Sequence, residues 1–168
     1  MSADTSTVRR ALVTVLLFLL AAPAVALAVN GSSTDGTLAV YGASGSVSVA
    51  ARGAMIGQID HGKVILEDPD PKDGPDPVVW GYESKRDLTD TKSLYSGSDI
   101  RFRVGSGFFR IKVTGTGVDL SIVGRGSVTL TPTLGVLPDG SYSLNGGTDL
   151  PFPDVLTSLQ LGSPTSGG

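Results

Sequence analysis

Four basic side chains alternate with apolar ones along two adjacent runs of the sequence. They are Arg101 and Arg103 in residues 100–104, and Arg110 and Lys112 in residues 109–113. Because successive side chains of a strand point to opposite faces, this alternation predicts that the four cations lie on the outer face of a sheet. Arg and Lys bind carboxylates and phosphates through charge-assisted hydrogen bonds. The pattern favours an anion-binding face; the alternative is an ordinary solvated face whose cations are neutralised by acidic loops.

Residues 67–77, EDPDPKDGPDP, place carboxylates at a spacing close to that of a calcium-binding loop. Asp68, Asp70 and Asp73 precede a glycine, but the third acid stands one residue later than the calcium pattern requires. Two prolines interrupt the segment, and the final glutamate of the pattern is missing. These features predict a solvated acidic loop, with weak calcium binding by the three aspartates as the alternative. The sequence indicates no other cofactor.

The side chains needed for nucleophilic catalysis are scarce in this sequence. His61 is the only histidine, there is no cysteine, and no Gly-x-Ser-x-Gly motif occurs. The segment Asp60-His61-Gly62 is typical of a hairpin tip. Glycoside hydrolysis needs only two carboxylates, whose distance a sequence does not give. The sequence therefore favours a non-enzymatic binding module, with a carboxylate-based hydrolase of cell-wall or glycan polymer as the alternative.

An aromatic strand follows the acidic loop. Val78, Trp80 and Tyr82 alternate and share one face of this strand. Aromatic side chains dominate protein cores, and they also form platforms on which sugars stack. The alternation favours core packing, with a carbohydrate platform as the other interpretation.

The positions of the glycines predict where the strands that carry these residues begin and end. The chain holds 23 glycines in 168 residues, and a Gly-x-Gly triplet occurs at 105–107, 115–117 and 124–126. Tight hairpin turns at these triplets predict a four-stranded antiparallel meander, in which Arg103 lies opposite Arg110 and Arg101 opposite Lys112. The predicted fold is all-β over residues 37–150: an antiparallel sandwich or closed barrel of about eight to ten short strands, with a β-solenoid as the alternative.

Both ends of the chain are predicted to lie outside this domain. Residues 1–28 combine a basic start, an uncharged apolar run and an Ala-Leu-Ala end, which indicates a secretory signal peptide; the alternative is an uncleaved membrane anchor. Residues 29–36 are a polar linker, and residues 151–168 are a Pro, Gly and Ser-rich tail. We expect an exported protein, secreted or at the cell surface.

The net charge of the chain and its lack of cysteine limit the classes of partner that we expect. Cleavage after Ala28 removes two basic residues and one acidic residue, which leaves 11 basic and 15 acidic residues and a net charge of −4. An acidic domain is not a general nucleic-acid binder. An exported chain without cysteine is disulfide-free, which favours a bacterial source. The expected partner is an anionic envelope polymer, a lipid headgroup or a protein, with membrane contact only through an uncleaved N-terminal segment.

Overall fold

The computed structural model describes residues 35–135 and 139–162, so the predicted signal peptide and most of the linker lie outside the described residues. Within those ranges the chain is all-β without a helix, and every strand pair is antiparallel, as the sequence predicts. The strands are β1 (Gly36–Glu67), β2 (Val78–Trp80), β3 (Ser84–Thr89), β4 (Lys92–Val104), β5 (Phe108–Pro132), β6 (Ser141–Leu144), β7 (Leu150–Pro151) and β8 (Thr157–Leu161).

Two long strands, β1 and β5, form most of the sheet by pairing with each other twice. One register pairs residues 36–52 with 108–124, and the other pairs residues 45–67 with 110–132. Gly124 therefore lies between Gly36 and Gly53, which are 17 residues apart on β1. A strand meets the same partner residue twice only if it curves back on itself. The two strands thus wind around one core as an antiparallel coil with 17 residues in each turn.

A row of glycines crosses the coil where the buried side of the strands changes. Gly62 pairs with Gly97 of β4 and with Gly115 of β5, and Gly115 also pairs with Gly45. A Cβ on Gly62 would lie 2.8 Å from the Cα of Gly115, so the backbones approach too closely for a side chain. On β5 the buried positions are odd-numbered before this row (109, 111 and 113) and even-numbered after it (118, 120 and 122). The row therefore shifts the inward phase by one residue, as a β-bulge does.

The predicted meander and closed barrel are wrong. Residues 108–132 form one continuous strand, so the chain does not reverse at the triplets 115–117 and 124–126. β4 and β5 are not hydrogen-bonded neighbours in the described sheet, because β1 lies between them. The sheet ends at short strands such as β2 and β8 instead of closing on itself. Glycine permits sharp bending as well as reversal, and the long cross-strand pairing selects bending here.

The core fills the inside of the coil and reaches the C-terminal segment. Alternate residues of β1, β4 and β5 are buried, and they form one apolar cluster. Phe152 and Leu161 belong to this cluster, with 2% and 3% of their surface exposed, and β8 pairs with β5. The sequence placed residues 151–168 outside the domain, whereas residues 151–162 belong to the fold. The polar composition of the segment gave no indication that Phe152 and Leu161 are buried or that β8 pairs at the edge of the sheet.

No described helix is both long and apolar enough to cross a bilayer. Residues 84–99 are polar and poorly periodic in sequence, which leaves room for a short helix, but they lie in the antiparallel pair β3–β4.

Candidate functional site

The structure separates the four predicted cations into two pairs. Arg101 and Arg103 lie on β4, where they pair with Gln58 and Ile56 of β1. The other two, Arg110 and Lys112, lie on β5 and pair with the opposite end of β1, at Glu67 and Ile65. The predicted pairing of Arg101 with Lys112 is therefore wrong, since a β1 segment lies between β4 and β5. Each pair lines a different pocket.

The pair on β5 lies in a partly neutralised setting. Arg110 Nη1 donates to Glu67 Oε1 at 3.0 Å, and Lys92 Nζ lies 3.1 Å from Glu67 Oε2. The hydrogen bond from Lys92 is the main cause that lowers the pKa of Glu67 below its usual value, and Arg110 lowers it further. Lys112 stands beside this cluster and lines the same pocket of about 290 Å³. Arg110 therefore fits the solvated-face alternative, in which an acidic residue neutralises the cation.

The pair on β4 has no such neutralisation. Among the described residues, neither Arg101 nor Arg103 forms an ion pair or a side-chain hydrogen bond, and both are exposed. Arg101 is flanked on the neighbouring strands by Trp80 and Gln58. Two adjacent outward guanidinium groups without an internal partner are free to bind an anion.

These arginines line an open groove of about 610 Å³ on the outside of the coil. We call it the arginine groove; its outward side chains are Tyr41, Ile56, Gln58, Trp80, Arg101, Arg103, Asp119 and Ser121. Its apolar walls are unusually exposed for their size: Trp80 is 46% exposed, Tyr41 50% and Ile56 41%. Large apolar side chains clustered at a surface are typical of a binding site.

Core packing of Trp80 and Val78 is therefore wrong. Val79 is the residue of β2 that packs against the core, and its two neighbours point outward. Period-two alternation defines the two faces of a strand, but it does not say which face is buried when both carry apolar residues.

The far side of the groove carries a fixed carboxylate. Asp119 Oδ1 accepts a hydrogen bond from the backbone N–H of Gly42 at 2.7 Å, and Oδ2 accepts from Gln58 Nε2 at 3.1 Å. Each carboxylate oxygen has a second acceptor position, so Asp119 can still accept hydrogen bonds from a ligand. The groove thus combines two cations, apolar walls and an oriented acceptor.

The acidic loop does not assemble a cation site. Asp73 Oδ2 accepts hydrogen bonds from Arg52 Nη2 at 2.7 Å and from the backbone N–H of Phe108 at 2.9 Å. The charge of Asp73 is therefore neutralised by Arg52. Asp70 Oδ1 accepts from the backbone of its own loop. Burial raises the pKa of Asp68. Within the described ranges, no group of three or more acidic or histidine side chains is arranged to hold a metal.

Neither of the two pockets brings two carboxylates together. Each is lined by a single carboxylate, Glu67 in the smaller and Asp119 in the arginine groove, whereas glycoside hydrolysis uses two. His61 is an exposed residue within β1, where it pairs with Ser98 and Thr116, so its placement at a hairpin tip is wrong.

Comparison with protein-family models, with curated proteins and with solved structures found no match. The geometry of the arginine groove is therefore the basis for assigning a function. Sequence reasoning identified its two arginines but missed Tyr41, Gln58 and Asp119, which come from distant parts of β1 and β5. No local signal marks them, because only the double pairing of β1 with β5 brings them together.

Proposed function

We propose that this chain is an exported, non-enzymatic β-domain, secreted or at the cell surface, that binds an anionic envelope component or partner through the arginine groove. In this proposal the facing walls of the coil pack as in a β-sandwich and serve as a rigid support. The observation that carries it is the pair Arg101 and Arg103, exposed and without an ionic partner in the described residues.

The contrast between the two cation pairs supports an anionic ligand. Arg110 has its counter-charge in Glu67, 3.0 Å away. Arg101 and Arg103 stand two residues apart on one face of β4, about 7 Å along the strand, and neither has an ion-pair partner in the part of the chain that the structure describes. A bound carboxylate or phosphate would supply it through bidentate hydrogen bonds.

The floor of the groove supports binding by a preformed surface. The strand segments beneath Arg101 and Gln58 pair with neighbouring strands on both sides, and hydrogen bonds from Gly42 and Gln58 hold the side chain of Asp119. The main chain below the site is therefore fixed before a ligand arrives. Preorganisation lowers the entropy that binding must overcome.

The test compares two charge-matched double variants of the full chain. Arg101→Gln with Arg103→Gln removes the groove cations, and Arg110→Gln with Lys112→Gln removes the same charge elsewhere. We expect the first to weaken adsorption to an anionic cell-envelope fraction by about tenfold or more at low salt, and the second to leave it nearly unchanged. Circular dichroism checks that both remain folded. Equal adsorption by the two variants would overturn the proposal.

A further inference from the structure

Four outward side chains form a row that crosses the arginine groove. Trp80 pairs with Arg101, Arg101 with Gln58, and Gln58 with Asp119, each on the next strand. Three spacings between neighbouring strands amount to about 14 Å. A ligand lying across the strands therefore meets an aromatic ring, a cation, an amide and a carboxylate in turn.

The exposed aromatic side chains of the groove favour a ligand with apolar faces. Trp80 and Tyr41 both line the groove, about half of each side chain is exposed, and neither makes a ring contact with another described residue. By contrast, Tyr82 lies outside the groove and packs against Tyr95, with 5.1 Å between ring centroids. Free aromatic faces gain from contact with a ring or another flat apolar surface.

The carboxylate of Asp119 favours a ligand with hydroxyl groups. Asp119 accepts one hydrogen bond at each oxygen and is held in place by them. Its remaining acceptor positions suit O–H donors, whereas they repel a phosphate chain that presents only negative oxygens. A ligand that satisfies the whole row therefore combines anionic groups, hydroxyl groups and apolar ring faces.

An extended peptide does not fit the same surface by strand addition. That mode of recognition needs a strand with free backbone N–H and C=O groups. Beneath Arg101 and Gln58 those groups already pair with neighbouring strands on both sides. Over Arg101 and Gln58, at the centre of the row, recognition therefore depends on side chains.

We infer that the arginine groove binds an acidic polysaccharide, a chain of sugar rings that carry carboxylates. The carboxylates pair with Arg101 and Arg103, a ring stacks on Trp80, and ring hydroxyls donate to Asp119. This inference rests on the proposed function and narrows it to one class of envelope polymer.

The chain carries its own reporter for the test, because Trp80 is its only tryptophan. The full chain is titrated with a galacturonate oligosaccharide, a neutral glucose oligosaccharide of equal length, inorganic polyphosphate and vesicles that contain phosphatidylglycerol. Trp80 emission and calorimetry are recorded together. We expect galacturonate to bind about tenfold or more tightly than each of the other probes and to shift Trp80 emission.

Matched variants locate the binding. Trp80→Ala, and Arg101→Gln with Arg103→Gln, are expected to weaken galacturonate binding about tenfold, whereas Tyr82→Ala and Arg110→Gln leave it nearly unchanged. Asp119→Asn keeps the size of the side chain and is expected to reduce the preference for galacturonate over polyphosphate. Thermal unfolding of each variant separates lost binding from lost fold.

The outcomes separate this inference from the proposed function. Polyphosphate or vesicles that bind as tightly as galacturonate, through the same arginines, would overturn the polysaccharide and leave an anion-binding groove. Galacturonate that does not bind, or binds without moving Trp80 emission, would also overturn it. The proposed function itself fails only if removal of the groove arginines weakens envelope adsorption no more than removal of Arg110 and Lys112.

Discussion

Gly53 and Gly124 face each other across β1 and β5 at the point where the coil completes a turn. The Cα of Gly124 lies 2.7 Å from the position that a Cβ on Gly53 would occupy, and the carbonyl oxygen of Val123 lies closer still. Gly53 N also donates to the carbonyl oxygen of Gly107 at 3.0 Å. The successive turns of the coil are therefore in direct backbone contact, and a side chain at this crossing would separate them.

Replacing Gly53 by alanine is expected to lower the free energy of unfolding by about 1–3 kcal/mol, because an added methyl group overpacks a backbone crossing. Urea unfolding followed by circular dichroism measures the loss. Gly146→Ala is the matched control. Gly146 has a positive φ of 66° but no atom within 4 Å of an added Cβ, so it reports backbone strain alone, about 1 kcal/mol. A Gly53 variant no less stable than the control would contradict the close crossing.

Truncating Phe152 tests whether the C-terminal segment belongs to the fold. Phe152 is 2% exposed within the apolar cluster, so Phe152→Ala is expected to destabilise the domain by about 3–5 kcal/mol through lost burial and a cavity. Val155, three residues later, is 63% exposed, and Val155→Ala is expected to change stability by less than about 0.5 kcal/mol. Thermal unfolding of both variants checks the contrast. Equal melting temperatures would place Phe152 outside the core.

Asp68 is expected to make the folded state less stable when it is ionised. One of its oxygens is buried without a hydrogen-bond partner among the described residues, and burial is the main cause that raises its pKa above the usual value of 3.8. The negative charges of Asp73, Asp76 and Asp70 raise the pKa further, against a backbone hydrogen bond at Asp70 that lowers it. The folded state therefore holds this proton more tightly than the unfolded chain does.

The pH dependence follows from that sign. Above the raised pKa the carboxylate is charged in both states and its folded-state cost is fully present; the cost disappears as the pH falls through that pKa and below 3.8. Asp68→Asn is therefore expected to stabilise the domain near pH 7 by about 1 kcal/mol or less, and to lose this advantage near pH 3. Urea unfolding at both pH values measures the difference. A variant that is less stable than the parent at pH 7 would show that the charge is favourable.

Asp73 is expected to hold the acidic loop against the β4–β5 connection. Asp73→Ala removes the acceptor for Arg52 and for the backbone N–H of Phe108, with an expected loss of about 1–3 kcal/mol. Limited proteolysis is expected to cut residues 68–77 faster in this variant, since the loop loses its anchor. Asp90→Ala, at the exposed turn between β3 and β4, serves as the control. Equal cleavage rates in the two variants would assign the loop's order to other contacts.

The fold class and the outward position of the four cations follow from the sequence alone. Alternation along residues 100–104 and 109–113 correctly assigns the buried side of each strand, because period two follows from strand geometry alone. It also identifies Arg101 and Arg103, since charged side chains alternate with buried ones there.

Which of these cations lie together, and which side chains surround them, depends on tertiary contacts. A glycine permits a reversal or a bend equally well, and the choice at residues 115–117 and 124–126 depends on the pairing of β5 with two distant turns of β1. That pairing carries Arg110 to Glu67, and it places Gln58 and Asp119 beside Arg101. These contacts join residues tens of positions apart in the chain. The strand propensity of a local segment does not specify which distant segment it pairs with.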